Sequence, residues 1–301
     1  MGLSEFPDEE PNVTMSPRSR RSPARRAAAR VLPSELKRVL HRMLSGKRAL
    51  TGPVSHQDRT TGATWAPGGV ALPTLNMTAY IPRDHARQVG SQYYIQEAMR
   101  ATSPAHVVMD LGCGDGSSAQ LFRSELSDVC WIGVDIAESA TVWDVQAESV
   151  VVFDGVRLPF ADNSIELVYT NQVFEHVRHP QALLLEIERV LTPGGGFIGS
   201  VSQLEPYHAY SLWGGYTLFG WATLCRDAGL ILEEARPSID AVALLTRQYE
   251  GALPEHARWW QLSPLNVEID EWAVATDASV LAVNARKLQF CGQFAFRVRR
   301  P

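Results

Sequence analysis

Cysteine is scarce in this chain. Four occur in 301 residues, Cys113, Cys130, Cys225 and Cys291, and no two form a C-x-x-C pair. That spacing excludes a disulfide framework and a cysteine zinc site, and it fits a reducing, cytoplasmic setting. No apolar run approaches the roughly 18 residues that a spanning helix needs. Arg20 and Arg21 are followed by more arginine rather than by an apolar core, so no cleavable export signal is evident. No acidic cluster calls for a metal, and none is expected. Positive charge is also in short supply where a nucleic-acid grip would need it. The net charge is −5, but residues 1–50 carry +6 and the remainder −11. An acidic body of this kind is poorly suited to hold nucleic acid.

The chain does carry an ordered alternation of elements. Residues 1–31 are rich in Pro, Ser, Arg and Ala and are expected to be largely disordered. From Pro33 to Leu44, Leu36, Val39, Leu40, Met43 and Leu44 recur at helical spacing, with Lys37, Arg38, His41 and Arg42 opposite. Such a basic amphipathic helix either packs on its own domain or attaches to an anionic membrane surface or a protein partner. Residues 45–82 show no periodicity and read as a long wrapping loop, of the kind that accompanies a substrate lid. A helix is expected over 83–101, ended by Ser103 and Pro104.

Strands are then expected from 107, at 129–136, 149–153, 165–171, 197–202, 231–239 and 288–298, the last with Gly292 as a bulge. Helices are expected over 117–125, 180–191 and 217–228, and TPGGG at 192–196 reads as a turn. This alternation implies an α/β fold with a seven-stranded, mostly parallel sheet and helices on both faces. The chain divides into a basic leader (1–50), a wrapping loop with an N-terminal helix (51–106), a ligand-binding core (107–239), a helical insertion (240–287) and the last core strand (288–301).

The core is organised around VVMDLGCGDGSS, residues 107–118. A short apolar strand ends in Asp110, a turn holds Gly112, Gly114 and Gly116, and a helix follows. Glycines let such a turn bend tightly and approach a ligand, which meets the carboxyl end of the strand. A dinucleotide fingerprint, G-x-G-x-x-G, would need its third glycine at 117, where this chain has Ser117. The pattern is instead D-x-G-x-G-x-G, which resembles motif I of the class I S-adenosylmethionine (SAM)-dependent methyltransferases. Further on come D-G-x-x-L-P-F-x-D-x-S from Asp154, E-H-V-x-x-P from Glu175 and E-I-x-R-V-L-x-P-G-G from Glu186. Together these resemble the UbiE-like methyltransferase type 11 group over residues 107–202. Glu166 departs from the group, which usually has Asp there; a place beside the sheet edge is expected for it.

The resemblance implies a Rossmann-like, SAM-binding core and a set of cofactor contacts. Asp110 and the carbonyls of the glycine turn would hold the ammonium end. Asp135, ending the second strand, would take the ribose hydroxyls, the alternative being a helix-capping or turn Asp. Ile136 would cover an adenine face or else belong to the core. Asp154, before Gly155, would accept from the adenine amino group or simply close a turn. Asn171 completes the polar set. The reaction implied is in-line displacement at the methyl group, most simply O-methylation of a small-molecule, glycan or secondary-metabolite acceptor. His208, in LEPYH, is the favoured general base; its alternative is substrate orientation or structure. His176 is the second candidate; its alternative is to hold the Glu175 loop in shape. The insertion's Arg247, Tyr249, Trp259, Trp260, Asn266, Trp272 and Asn284 suit either a cap over the acceptor or the core of added helices. Two other classes fit less of the pattern: a non-catalytic SAM-binding scaffold, and an NAD-dependent oxidoreductase, against which Ser117 counts.

Overall fold

The structure, a computed structural model, describes residues 76–140, 150–208 and 212–301. The leader, its helix at 33–44 and most of the expected wrapping loop lie outside the described residues. After a single 3-10 turn (Met77–Tyr80) come α1 (Gln92–Met99), β1 (Val107–Leu111), α2 (Ser118–Glu125), β2 (Cys130–Ile136), the one-turn α3 (Ala137–Ala140) and β3 (Val150–Phe153). Next are β4 (Ile165–Asn171), a 3-10 turn (Phe174–His176), α4 (Pro180–Val190), β5 (Leu191–Ser202), α5 (Leu218–Asp227) and β6 (Ile231–Pro237). The chain closes with α6 (Ala241–Glu250), a 3-10 segment (Pro254–Trp260), α7 (Pro264–Thr276), α8 (Val280–Phe290) and β7 (Gln293–Arg299). No helix among the described residues is long and apolar enough to cross a membrane.

The seven strands form one sheet in the order β3-β2-β1-β4-β5-β7-β6. All neighbouring pairs are parallel except those of β7, which runs antiparallel to β5 and β6. Alternate side chains of β1, β2 and β4 enter two different cores. Met109 and Leu111 join Phe174, Phe197, Trp221 and Phe296 on one face. Val108 and Tyr169 join Phe122, Trp131 and the α1 residues Tyr94 and Ile95 on the other. Burial on both faces explains why β1 reads as a continuous apolar run.

Local chemistry sets the helix ends. Pro180 opens α4, whose Leu183, Leu184, Ile187 and Val190 are fully buried at helical spacing. Thr217 caps α5 by accepting from Gly220 N at 3.1 Å, and Gly229, at φ +81°, ends it. Glu186 and Arg189 of α4 clamp the loop before β4. Glu186 accepts from Leu158 N (3.0 Å), while Arg189 donates to the carbonyls of Leu158 (3.0 Å) and Phe160 (2.8 Å) and pairs with Asp162. The E-I-x-R and L-P-F-x-D motifs are thus two halves of one brace.

Several expected boundaries move. The helix expected over 83–101 is confined to α1. Ahead of it the carbonyls of Pro82, His85 and Ala86 are taken by Asn284 and Lys287 of α8, and Val89 N pairs with Pro237 O. A helix cannot form where its carbonyls serve other partners. The strand expected from 288 begins at Gln293, because Leu288 continues the buried face of α8 with Val283, Asn284 and Lys287. Gly292 is a close contact instead of a bulge: a Cβ there would lie 2.3 Å from Leu244 Cδ1. TPGGG belongs to β5, but the pairing with β4 jumps from Ile165–Leu191 to Leu167–Gly196, so the extra residues bulge out. Glu166 is not at a sheet edge. It sits between β4 and β1, accepting from His106 N (2.6 Å) and Val107 N (3.2 Å).

Candidate active site

The order of strands reverses between β1 and β4, because β1 leads to β2 and β3 on one side and β4 to β5 on the other. Crevices at such a switch point are where open α/β sheets take ligands. The glycine turn lies there. Gly112 (φ +73°), Gly114 (φ +53°) and Gly116 (φ +77°) all adopt the left-handed conformation. A Cβ on Gly112 would come within 2.2 Å of Val173 Cγ2, so the turn nests against the segment leaving β4. Gly112 N and Cys113 N both donate to Val134 O, at 2.7 and 3.3 Å, which fastens the turn to β2.

Asp110 is almost entirely buried at the base of this turn. It accepts from Ser118 Oγ, which in turn accepts from Trp131 Nε1 at 3.0 Å. Burial pushes its carboxyl up to about 7, against the Ser118 hydrogen bond; Asp135 and Asp115 add to the rise. Among the described residues no basic side chain pairs with it. A buried carboxylate surrounded by acids and lacking a cation is suited to a cationic ligand. A cavity of about 290 Å³ opens beside it, lined by Asp110, Gly112, Gly114, Ser118, Tyr169 and Asn171 among others.

Asp135 faces the same turn, taking Gly114 N on Oδ2 and Ile136 N on Oδ1, each at 2.8 Å. Ile136 is partly exposed at the end of β2 and lies 3.6 Å from where a Gly155 Cβ would be. Asp154 is solvent-exposed and closes the turn after β3, its Oδ1 accepting from Val156 N (2.9 Å) and Arg157 N (2.7 Å). Those bonds hold its carboxyl below the usual range. Asn171 ends β4, its Oδ1 accepting from Ser91 Oγ (2.9 Å) and Ser200 Oγ (2.7 Å). The cavity therefore gathers Asp110, Gly112, Gly114 and Asn171, while Asp135, Ile136, Asp154 and Gly155 lie outward along β2 and β3.

The two histidines meet one strand further along. Glu175 and His176 follow β4, and His208 follows β5. The imidazoles pack edge to face, their centroids 5.2 Å apart at 89°. His208 Nδ1 lies 3.0 Å from Pro206 O and 3.5 Å from Glu205 Oε2. Glu175 is fully buried, with Trp213 N donating to its carbonyl at 2.8 Å, and burial pushes its carboxyl up to about 8. Gln172, at φ +56°, places its amide nitrogen 2.9 Å from both Glu175 Oε1 and Glu205 Oε1. Sequence reading missed Ser91, Ser118, Gln172, Glu175 and Glu205. Ser118, Glu175 and Glu205 stood inside quoted motifs; Ser91 and Gln172 carried no spacing signal, because only the fold brings them to the site.

The insertion leaves the carboxyl end of β6, but its expected contact residues serve other ends. Asn266 Nδ2 donates to Gln88 Oε1 (2.7 Å) and Ser238 O (3.0 Å), and Asn284 binds the carbonyls of Pro82 and His85. Both are buried. Trp259 stacks on His256, Arg247 lies over Trp260 and Arg286 over Trp272.

Residues 109–199 match the family described as methyltransferase domain. The chain is 31% identical over 104 residues to the malonyl-[acyl-carrier protein] O-methyltransferase of Marinomonas sp. (strain MWYL1), covering 33% of this chain and 38% of that protein. It is 34% identical over 120 residues to a Mycolicibacterium smegmatis protein named "Probable S-adenosylmethionine-dependent methyltransferase", covering 35% and 46% of the two. The chain thus spans less than half the length of these curated relatives. Among solved structures it resembles an S-adenosylmethionine-dependent methyltransferase from Mesorhizobium loti, with a TM-score of 0.44 and 15% identity over 70% of this chain and 98% of that one.

Proposed function

We propose, from the premise that residues 109–199 form a class I SAM-dependent methyltransferase domain, that this protein transfers the methyl group of SAM to a hydroxyl of a small-molecule or glycan acceptor. The observation that carries this reading is Asp110, a buried carboxylate without a cation in the wall of the glycine-turn cavity. SAM presents an ammonium group and a sulfonium centre. When bound it supplies a methyl whose C–S bond breaks, the pair going to sulfur, as the acceptor oxygen bonds the carbon.

The chain's own residues bind, orient and handle the proton. Asp110 and the turn would hold the ammonium end and Asp135 the ribose. Ile136 would cover the adenine, and Asp154 would accept from its amino group with the oxygen its turn leaves over. Asn171, fixed by Ser91 and Ser200, borders the cavity on the acceptor side. A hydroxyl must lose its proton as it attacks, and His208 would accept it. Nδ1–H donation to Pro206 O leaves the lone pair on Nε2. His176, edge to face with it, would orient that ring. The test is transfer of a labelled methyl from SAM across a panel of hydroxyl, amine and carbon acceptors, with Asp135→Ala as control. Label in a hydroxyl acceptor, lost in the control, is expected. Transfer to amines or carbon alone would overturn the choice of hydroxyl.

A further inference from the structure

Glu175, His176 and His208 each offer one ligand atom, and these atoms lie within 4.8 Å of one another. They come from two elements, the 3-10 turn after β4 and the segment after β5, so no sequence spacing announces them. One carboxylate with two imidazoles is a donor set that suits a first-row divalent ion and leaves coordination positions open. Bonds of about 2.0–2.2 Å at tetrahedral angles set donor atoms about 3.4 Å apart, so ion binding would draw the widest pair together by about 1.4 Å.

Two further observations point to a ligand. Glu175 has zero relative exposure, yet its Oε2 has no hydrogen-bond partner among the described residues. A buried carboxylate oxygen left unmatched is costly, and a bound cation removes that cost. The outer shell is also built as metal sites require. His208 turns Nδ1 toward Pro206 O and Glu205 Oε2, leaving Nε2 as the donor atom. Gln172 stands between Glu175 Oε1 and Glu205 Oε1 and fixes both. Burial falls from Glu175 through His176 to His208, so the open positions face outward.

We infer that Glu175, His176 and His208 form a binding site for a divalent first-row transition-metal ion at the carboxyl edge of β4 and β5. Its catalytic use rests on the methyltransferase reading: an ion there would polarise the acceptor hydroxyl and ease loss of its proton to water. His208 then lends its Nε2 pair to the ion instead of to that proton, so base and ligand are alternative states of one residue.

The experiment titrates the EDTA-stripped full chain with Co²⁺ alone and follows visible absorption. One ion per chain is expected, displaced by Zn²⁺, with affinity reduced ~10–100-fold in His208→Ala and Glu175→Gln and unchanged in His106→Ala. Circular dichroism of the metal-free variants checks folding; His208 is on an exposed segment, so its variant decides the matter if Glu175→Gln does not fold. Absence of a saturable band, or a band that saturates in His208→Ala with the unaltered chain's affinity, would overturn the site. No SAM is present in this titration, so its failure leaves the proposed activity standing, and failure to bind SAM leaves the metal site standing.

Discussion

At the residue scale, Asp110 carries two opposed duties. Its carboxyl is raised from 3.8 to about 7 in the folded chain. The folded state therefore holds a proton that the unfolded chain has released between those values. Stability contributed by this group is complete below about pH 4 and is lost as pH rises through 7. A cationic ligand reverses the preference, because it favours the ionised form. SAM affinity measured by calorimetry is expected to rise up to ~10-fold between pH 6 and pH 7.5. Asp110→Asn should lose both the pH dependence and about tenfold or more of the affinity, while gaining stability at pH 8 in the absence of ligand. Arg236 is the structural counterpart. It is buried, paired bidentately with Asp84 (3.0 and 2.8 Å), bonded to Glu234 at 2.6 Å and stacked on Tyr93. Arg236→Ala should cost about 3–5 kcal/mol in urea unfolding, since Glu234 loses its buried partner. The Asp84 carboxyl is held down at about 2 by Arg236. Its contribution is present above about pH 4 and lost as pH falls through 2, and it is small because Asp84 is half exposed.

At the element scale, the glycine turn and the α4 brace decide whether the cavity keeps its shape. Gly112→Ala forces a left-handed alanine against Val173. It should cost about 1–3 kcal/mol by urea unfolding and weaken SAM binding. Arg189→Met should free the loop at 158–162, seen as faster hydrogen exchange there with the sheet core unchanged. The sheet was legible in the sequence because its strands are buried on both faces, and β1, β2 and β4 stand out as apolar runs. The place of the candidate cofactor residues in the fold was legible for a related reason: Asp110 and Asp135 lie at strand ends, with the glycine turn after β1, where pattern alone locates them. What was not legible depends on distant partners. The chain before α1 is extended because α8 claims its carbonyls, and Leu288-Gln289-Phe290 is helical because of what it packs against. The Glu175–Gln172–Glu205 network joins residues from separate crossovers, so no local pattern could show it.

At the scale of the whole molecule, the insertion and the segment before α1 are stitched to the sheet by buried polar groups. Gln88 Oε1 takes Ser263 N, Ser263 Oγ and Asn266 Nδ2 at 3.0, 2.8 and 2.7 Å. Lys287, buried, binds Ala86 O and Asp270 at 2.7 Å each. These contacts argue that the insertion is part of the folded body, and Asn266→Ala should cost about 1–3 kcal/mol of stability. The proposed function stands on sheet, turn and acids together, with SAM proposed to lie across the carboxyl ends of β1 and β2. Calorimetric titration of the full chain with SAM and, separately, with NADH tests it most directly. The account predicts one SAM per chain with a dissociation constant on the order of 1–100 μM, weakened in Asp110→Asn and Asp135→Ala, and no heat from NADH. NADH binding without SAM binding would contradict it.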